Sequence, residues 1–193
     1  MMKQNSSESL FAFDKKSQVE VLAQSGANFQ IELIKSLDDS DSQELIAMSL
    51  LAAELKKNPP FTPATVRQLF NYPKTYPVIA RLNGSPIACI IGVPLEYYNK
   101  ESWVKCDKHW GDGTTIYTQV ELVNPRFRNQ NYIAVLSRMY LNFLGKRGFS
   151  YVSGHIKKGD SCSLSPNYQV IKEFDNWQNS YQCFDYYRIV LLK

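Results

Sequence analysis

Glu121 to Val135 reads ELVNPRFRNQNYIAV, and its residue types can do two kinds of chemistry. The first is anion binding. A strand-like run ends in a proline, two arginines and an amide-rich turn that lead straight into an amphipathic helix. The first N–H groups of a helix have no intrahelical partners and sit at the positive end of its dipole, so they hold a phosphate wherever the backbone can be approached. Gln130, Asn131, Tyr132, Ile133 and Ala134 present those amides, and Arg126 and Arg128 can add charge-assisted hydrogen bonds. Asn129 and Asn131 tolerate the left-handed backbone better than most residues. Taken alone, the same run is also a solvated, Asn- and Arg-rich helix cap. The second chemistry is proton transfer. Glu121 is the carboxylate of the strand, with Gln119 and Tyr117 able to hold a water beside it, and an exposed strand-edge charge is its equally open reading.

Other reactive residues point less far. Cys106 and His109 are spaced C-x-x-H, and His155 with Cys162 would complete four ligands, but nothing in the sequence brings the pairs together. Neither a zinc site nor a Cys–His nucleophile is therefore expected. Cys89, Cys106, Cys162 and Cys183 show no CxxC spacing and are expected as reduced thiols. Tyr97, Tyr98, Trp103 and Trp110 fall in one irregular connection, where they form either the wall of a site or packing.

The elements that must position these residues follow from periodicity. FQIELIKSL alternates as a strand, and Asp39-Ser40-Asp41 offers caps for a helix through LIAMSLLAAEL that Asn58-Pro59-Pro60 stops. Thr62-Pro63 begins a second, shorter helix through Val66, Leu69 and Phe70. YPVIARL and PIACIIGVPLEYY form a hairpin about Asn83-Gly84-Ser85, and TTIYTQVELV is a further strand. A helix then runs from about Asn131, with Ile133, Leu136, Tyr140 and Phe143 on one face, to Gly145 and Gly148, where Lys146 and Arg147 complement its C-terminal dipole. FSYVSGHI predicts a strand, Asn167 to Trp177 a helix, and QCFDYYRIVLL a closing strand. Residues 1–27 are polar and weakly patterned, an expected N-terminal extension, with room for one short element and no catalytic part, to one domain over 28–193.

This order of strands and helices resembles the GCN5-related N-acetyltransferase superfamily, an α/β (α+β) single-domain fold whose mixed sheet wraps around acetyl-CoA. The family's most recognisable segment runs strand, V-x-P-x-Y-R-G-x-G-x-G, helix. Here Val123, Pro125, Phe127 and Arg128 keep the frame, while Asn129, Gln130, Asn131, Tyr132 and Ile133 follow without any of the three glycines. The resemblance implies that the backbone of Leu122 and Val123 pairs with the pantetheine arm, and that Arg128 through Ala134 hold the phosphates. It implies an acyl-CoA-dependent N-acetyltransferase in which an amine attacks the thioester directly, with Glu121 as base. The family's last helix often carries N-x-x-A-x-x-x-Y; Asn167 and Val170 fall in register, but Phe174 takes the tyrosine position, which leaves Tyr181 or Tyr168 to donate a proton. The alternative is a non-catalytic binding module on the same fold, for a protein or a small ligand.

Composition sets the remaining expectations. With 193 residues, 44% hydrophobic and 21% charged, the chain is an ordinary globular domain. A net charge of +4 spread along the chain argues against a nucleic-acid partner while allowing one locally positive site. No signal-peptide run and no membrane-length apolar segment is present, so a cytoplasmic protein with no membrane partner is expected. The expected partner is an amine acceptor, either a small molecule or a peptide, and a homodimer is compatible with the resemblance.

Overall fold

The β-branched and aromatic runs of the chain assemble into one sheet. The computed structural model describes residues 16–56, 60–128, 130–160, 162 and 164–192. Its strands are β1 (Gln18–Ser25), β2 (Phe29–Ser36), β3 (Tyr76–Leu82), β4 (Ser85–Pro94), β5 (Thr115–Val123), β6 (Tyr151–Lys157), β7 (Gln169–Phe174) and β8 (Phe184–Val190). The helices are α1 (Asp39–Lys56), α2 (Pro63–Asn71) and α3 (Tyr132–Lys146). The sheet order is β1-β2-β3-β4-β5-β6-β8-β7, with β5 and β6 parallel and the other neighbours antiparallel. A parallel pair needs a crossover, and α3 supplies it.

Helices cover both faces. Leu45 and Met48 of α1 with Val66, Leu69 and Phe70 of α2 pack on Ile34, Ile79, Cys89 and Ile91. On the other face Leu136, Tyr140, Phe143 and Leu144 of α3 pack on Ile31, Val78, Ile90, Ile116 and Val152. Each such side chain contributes about 1.5–3 kcal/mol on full burial. Cys89, entirely enclosed, has its thiol pKa pushed up to about 12, first by burial and then by the charge of Glu121. Arg81 locks β3 to its surroundings through Glu32 (2.8 Å) and Asp41 (2.6 Å), all at low exposure.

Local signals decide several boundaries. Thr62 caps α2 by accepting the Thr65 N–H at 3.1 Å, with Pro63 at the first turn. Asn83 and Gly84 take positive φ (52° and 84°) in the β3–β4 hairpin, as an Asn-Gly turn requires. The cap of α1 is Asp38, one residue before the expected set: its carboxylate accepts the Asp41 N–H at 2.8 Å and the Ser17 N–H at 3.0 Å. The expected stop at Asn58-Pro59 lies outside the described residues.

One element fills out the N-terminal extension, and one differs from expectation. Residues 18–25 are a short element within the expected extension: they form β1 and pair with β2 from Gln18–Ser36 to Ser25–Phe29. Arg147 at the end of α3 reaches back to Glu20 of this strand at 3.1 Å. The helix expected over 167–177 is instead β7, which pairs with β8 from Gln169–Arg188 to Phe174–Phe184. β-branched Val170 and Ile171 suit a strand, and β8 would otherwise leave its outer backbone groups without a ladder. Only a short turn, Trp177–Asn179, is helical there, and Gln178 within it is left-handed at φ 50°.

Candidate active site

The sheet opens at one place. β5 and β6 are paired only over Thr115–Tyr151, Ile116–Val152 and Tyr117–Ser153. Beyond these, β5 continues against β4 as far as Val123, and β6 continues against β8. The β6-facing edge of β5 past Tyr117, including Leu122 and Val123, is therefore left without a sheet neighbour. A bulge lies in the same stretch: Thr118 pairs with Gly92 and Val120 with Ile91, so Gln119 is the extra residue. Because one inserted residue exchanges the faces, Glu121 comes to the α3 side, opposite Ile90, as Thr118 does.

From the open end of β5 the chain leads into α3. Asn124 accepts the Arg126 N–H at 3.1 Å, and a 3₁₀ turn over Pro125–Phe127 leads in. The Gln130 N–H is used within this turn, on Phe127 O at 3.1 Å, so it is not available to an anion as expected. The N-cap, Asn131, makes no side-chain capping bond, which leaves the amides of Tyr132, Ile133 and Ala134 at an uncapped helix start. Arg126 and Arg128 are exposed beside it. Tyr132 stacks on Phe29 at 5.2 Å, and Ile133 packs against the core, so neither side chain stands over the amides. Asn129 lies outside the described residues.

On the α3 side of the opening, two tyrosines lie where glycines admit them. A Cβ on Gly92 would be 2.2 Å from the Tyr140 hydroxyl, and a Cβ on Gly154 would be 2.6 Å from that of Tyr187. Tyr140 is near Thr118, yet neither oxygen has a partner in hydrogen-bonding geometry among the described residues. Burial raises the pKa of both tyrosines, and for Tyr187 the charges of Cys162 and Glu121 add to it. These residues escaped sequence reasoning, although a glycine inside a strand signals close approach of another group.

The opposite face is aromatic. The Tyr117 hydroxyl shares a 3.0 Å hydrogen bond with His155 Nδ1, and His155 stacks on Trp177 with centroids 3.5 Å apart. Trp103, Phe174 and Tyr186 close around the imidazole. Burial lowers the His155 pKa to about 3, so the ring is neutral. Behind it, buried Asp107 accepts from Arg188 (2.5 Å) and Tyr186 (2.6 Å), fixing the 95–113 connection to β8. Trp103 and Tyr98 are thus packing, whereas Tyr97 and Trp110 remain 39% and 37% exposed.

The remaining candidates are dispersed. Tyr181 is 91% exposed in the β7–β8 connection at φ 55°, and its side chain makes no ring contact or hydrogen bond among the described residues. Tyr168 packs edge-on against Tyr187 at 5.7 Å. His109 stacks on Tyr151, so the two histidines serve different neighbours, and no group of three or more His, Cys, Asp or Glu side chains gathers among the described residues.

No family model matches the chain, and no curated protein matches it. Solved structures do. Ard1 from Thermoplasma volcanium aligns with 86% of this chain and 100% of its own at TM-score 0.63 and 13% identity. The ribosomal-protein-S18-alanine N-acetyltransferase from Escherichia coli covers 86% of this chain and 95% of its own at 0.62 and 12%. The acetyltransferase yncA from Salmonella typhimurium, solved with acetyl-CoA, covers 86% and 95% at 0.57 and 11%. With a mixed sheet that parts between β5 and β6, the chain has the fold of the GCN5-related N-acetyltransferases.

Proposed function

We propose that the chain is an N-acetyltransferase that takes the acetyl group of acetyl-CoA and delivers it to an amine by direct attack on the thioester. The observation that carries this is the opening between β5 and β6, with the open end of β5 leading into an uncapped helix N-terminus. The groups around it suit coenzyme A. The amides of Tyr132, Ile133 and Ala134 with Arg126 and Arg128 offer donors to a diphosphate. The free edge of β5 at Leu122 and Val123 offers backbone groups to an amide-bearing arm. Thr118 Oγ1 and the Tyr140 hydroxyl, buried without partners among the described residues, offer two more bonds to a polar ligand. The missing glycines do not close the cradle, because Ile133 turns into the core.

In this reading Glu121 accepts the amine proton, directly or through a water. Among proteins of this fold, one is named for a ribosomal-protein alanine and another for an aminoglycoside. The acceptor here is accordingly an amine on a peptide or a small molecule. Acetyl-CoA and four unpaired thiols both suit the cytoplasm. Isothermal titration with acetyl-CoA and desulfo-CoA, then free-thiol release with polyamines, amino acids and peptides, tests the proposal. Binding followed by thiol release with at least one amine is expected; a folded protein that binds no coenzyme A overturns it.

A further inference from the structure

We infer that the acetyl acceptor is an aromatic monoamine, a primary amine on a short alkyl chain from one aromatic ring system, held by a band of rings on the face of the sheet away from α3. This rests on the acetyl-transfer reading of the opening and names its acceptor.

In that reading the phosphates of coenzyme A go to the start of α3, and α3 packs on one face of the sheet. An amine that attacks the thioester directly must share the opening with the cofactor, and the other face is its separate approach. On that face ring follows ring. Tyr72 after α2 meets Tyr97, Tyr97 meets Tyr98, Tyr98 meets Trp103, Trp103 meets Trp177 and Trp177 meets Phe174, with successive centroids between 5.2 and 6.1 Å apart. The band reaches the point where the strands part. Tyr98 and Trp103 lie 4.8 and 5.3 Å from the ring of Tyr117, the last residue of β5 paired with β6, and Trp177 stacks on His155. Packing fixes these rings without sealing them in: Tyr98, Trp103, Phe174 and Trp177 are half-buried, and Tyr72 and Tyr97 are exposed.

Charge decides the class of amine. Ring faces attract an ammonium and stack on another ring, whereas a polyamine or an aminoglycoside needs a carboxylate for each of its cations. Such carboxylates are scarce here. Asp107 is spent on Arg188 and Tyr186, and His155 is neutral. The charge of Glu101 reaches Tyr98, which supplies one anion for one ammonium. Lys172 stands over Phe174 at 5.2 Å and would repel a second. The transfer balances as one amine and one thioester giving one amide and one thiol: nitrogen bonds to the carbonyl carbon, the C–S bond breaks, and the proton lost by the amine ends on sulfur.

The test is free-thiol release from acetyl-CoA with 2-phenylethylamine, tryptamine, n-butylamine, spermidine and an alanine-terminated peptide. The two arylalkylamines should exceed each of the others by about tenfold or more in kcat/KM. In wild-type protein saturated with coenzyme A, 2-phenylethylamine should shift the indole N–H resonances of Trp103 and Trp177 and leave that of Trp110, which lies outside the band. Trp177→Leu and Tyr97→Leu should each lower kcat/KM for 2-phenylethylamine about tenfold, chiefly through KM, and change that for n-butylamine by no more than about threefold. Coenzyme A affinity within about twofold of wild type shows that each variant is folded. Equal or better use of n-butylamine, spermidine or the peptide, or no thiol release with either arylalkylamine, overturns this acceptor while leaving coenzyme A binding and acetyl transfer standing. Wild-type protein that binds no coenzyme A overturns the acetyl-transfer reading itself, and the acceptor with it.

Discussion

The Tyr117 hydroxyl and His155 Nδ1, 3.0 Å apart, join β5 to β6 at the point where the two strands part. Tyr117 is the last residue of β5 paired with β6, and His155 lies two residues beyond the last pair on the other strand. The bond therefore ties the open end of the sheet on the face away from α3, among the rings of Trp103, Phe174 and Trp177. It does so with a neutral imidazole, since burial holds the His155 pKa near about 3.

That neutrality makes folding sensitive to acid. A histidine whose folded pKa is depressed contributes fully above its unfolded value of 6.5 and loses that contribution as pH falls toward about 3. In that window the unfolded chain binds a proton that the native imidazole refuses, at up to about 1.4 kcal/mol per pH unit. His155→Phe, which keeps the stack on Trp177, should flatten the dependence between about pH 7 and about pH 5. Urea unfolding of both proteins across that range measures it. Equal slopes would show that His155 takes up its proton while folded.

Gly154→Ala should destabilise the protein by about 1–3 kcal/mol, because the new methyl group has no room beside the Tyr187 ring. The cost should shrink by more than about 0.5 kcal/mol in a Tyr187→Ala background, since the group it strikes is gone. Thermal or urea unfolding of the four proteins completes the cycle. Additive effects would place the strain somewhere other than this contact.

Arg128 is exposed and forms no ion pair among the described residues, so Arg128→Ala should change stability by no more than about 0.5 kcal/mol. If its guanidinium bonds a phosphate, coenzyme A affinity should weaken by about 1–3 kcal/mol and depend less on salt. Calorimetry at two ionic strengths reads both effects, and affinity equal to wild type would remove Arg128 from the site.

How far these features were legible in the sequence depended on how local their causes were. The Asn83-Gly84 hairpin and the Thr62-Pro63 cap are decided within a few residues, and both appear as expected. The strand at 169–174 was not legible in that way. Tyr168, Ile171, Phe174 and Trp177 recur every third residue and suggest a helix, but the edge of β8 decides the outcome from elsewhere in the chain. β1 depends in the same manner on the edge of β2. In the site, the helix start after Arg128 follows from sequence. The bulge at Gln119 that turns Glu121 toward α3, and the meeting of Gly154 with Tyr187, are matters of register between strands.

Glu121→Gln bears most directly on whether the opening is an enzyme's active site. Glu121 and Thr118 share the α3 face of β5 only because Gln119 is inserted between them. If Glu121 accepts the amine proton, the amide variant should lose roughly 10²-fold or more in turnover and regain part of it at high pH, where more of the acceptor amine is already neutral. Coenzyme A affinity should stay within about twofold, because an amide fills nearly the volume of the carboxylate it replaces. Free-thiol release across pH with an amine that the wild-type protein acetylates measures the first effect, and calorimetry the second. Turnover equal to wild type would keep the transferase and move the proton acceptor away from Glu121. A loss accompanied by equally weakened coenzyme A binding would instead make Glu121 a structural residue of the cleft, since a base acts on the amine and leaves the cofactor's own contacts untouched.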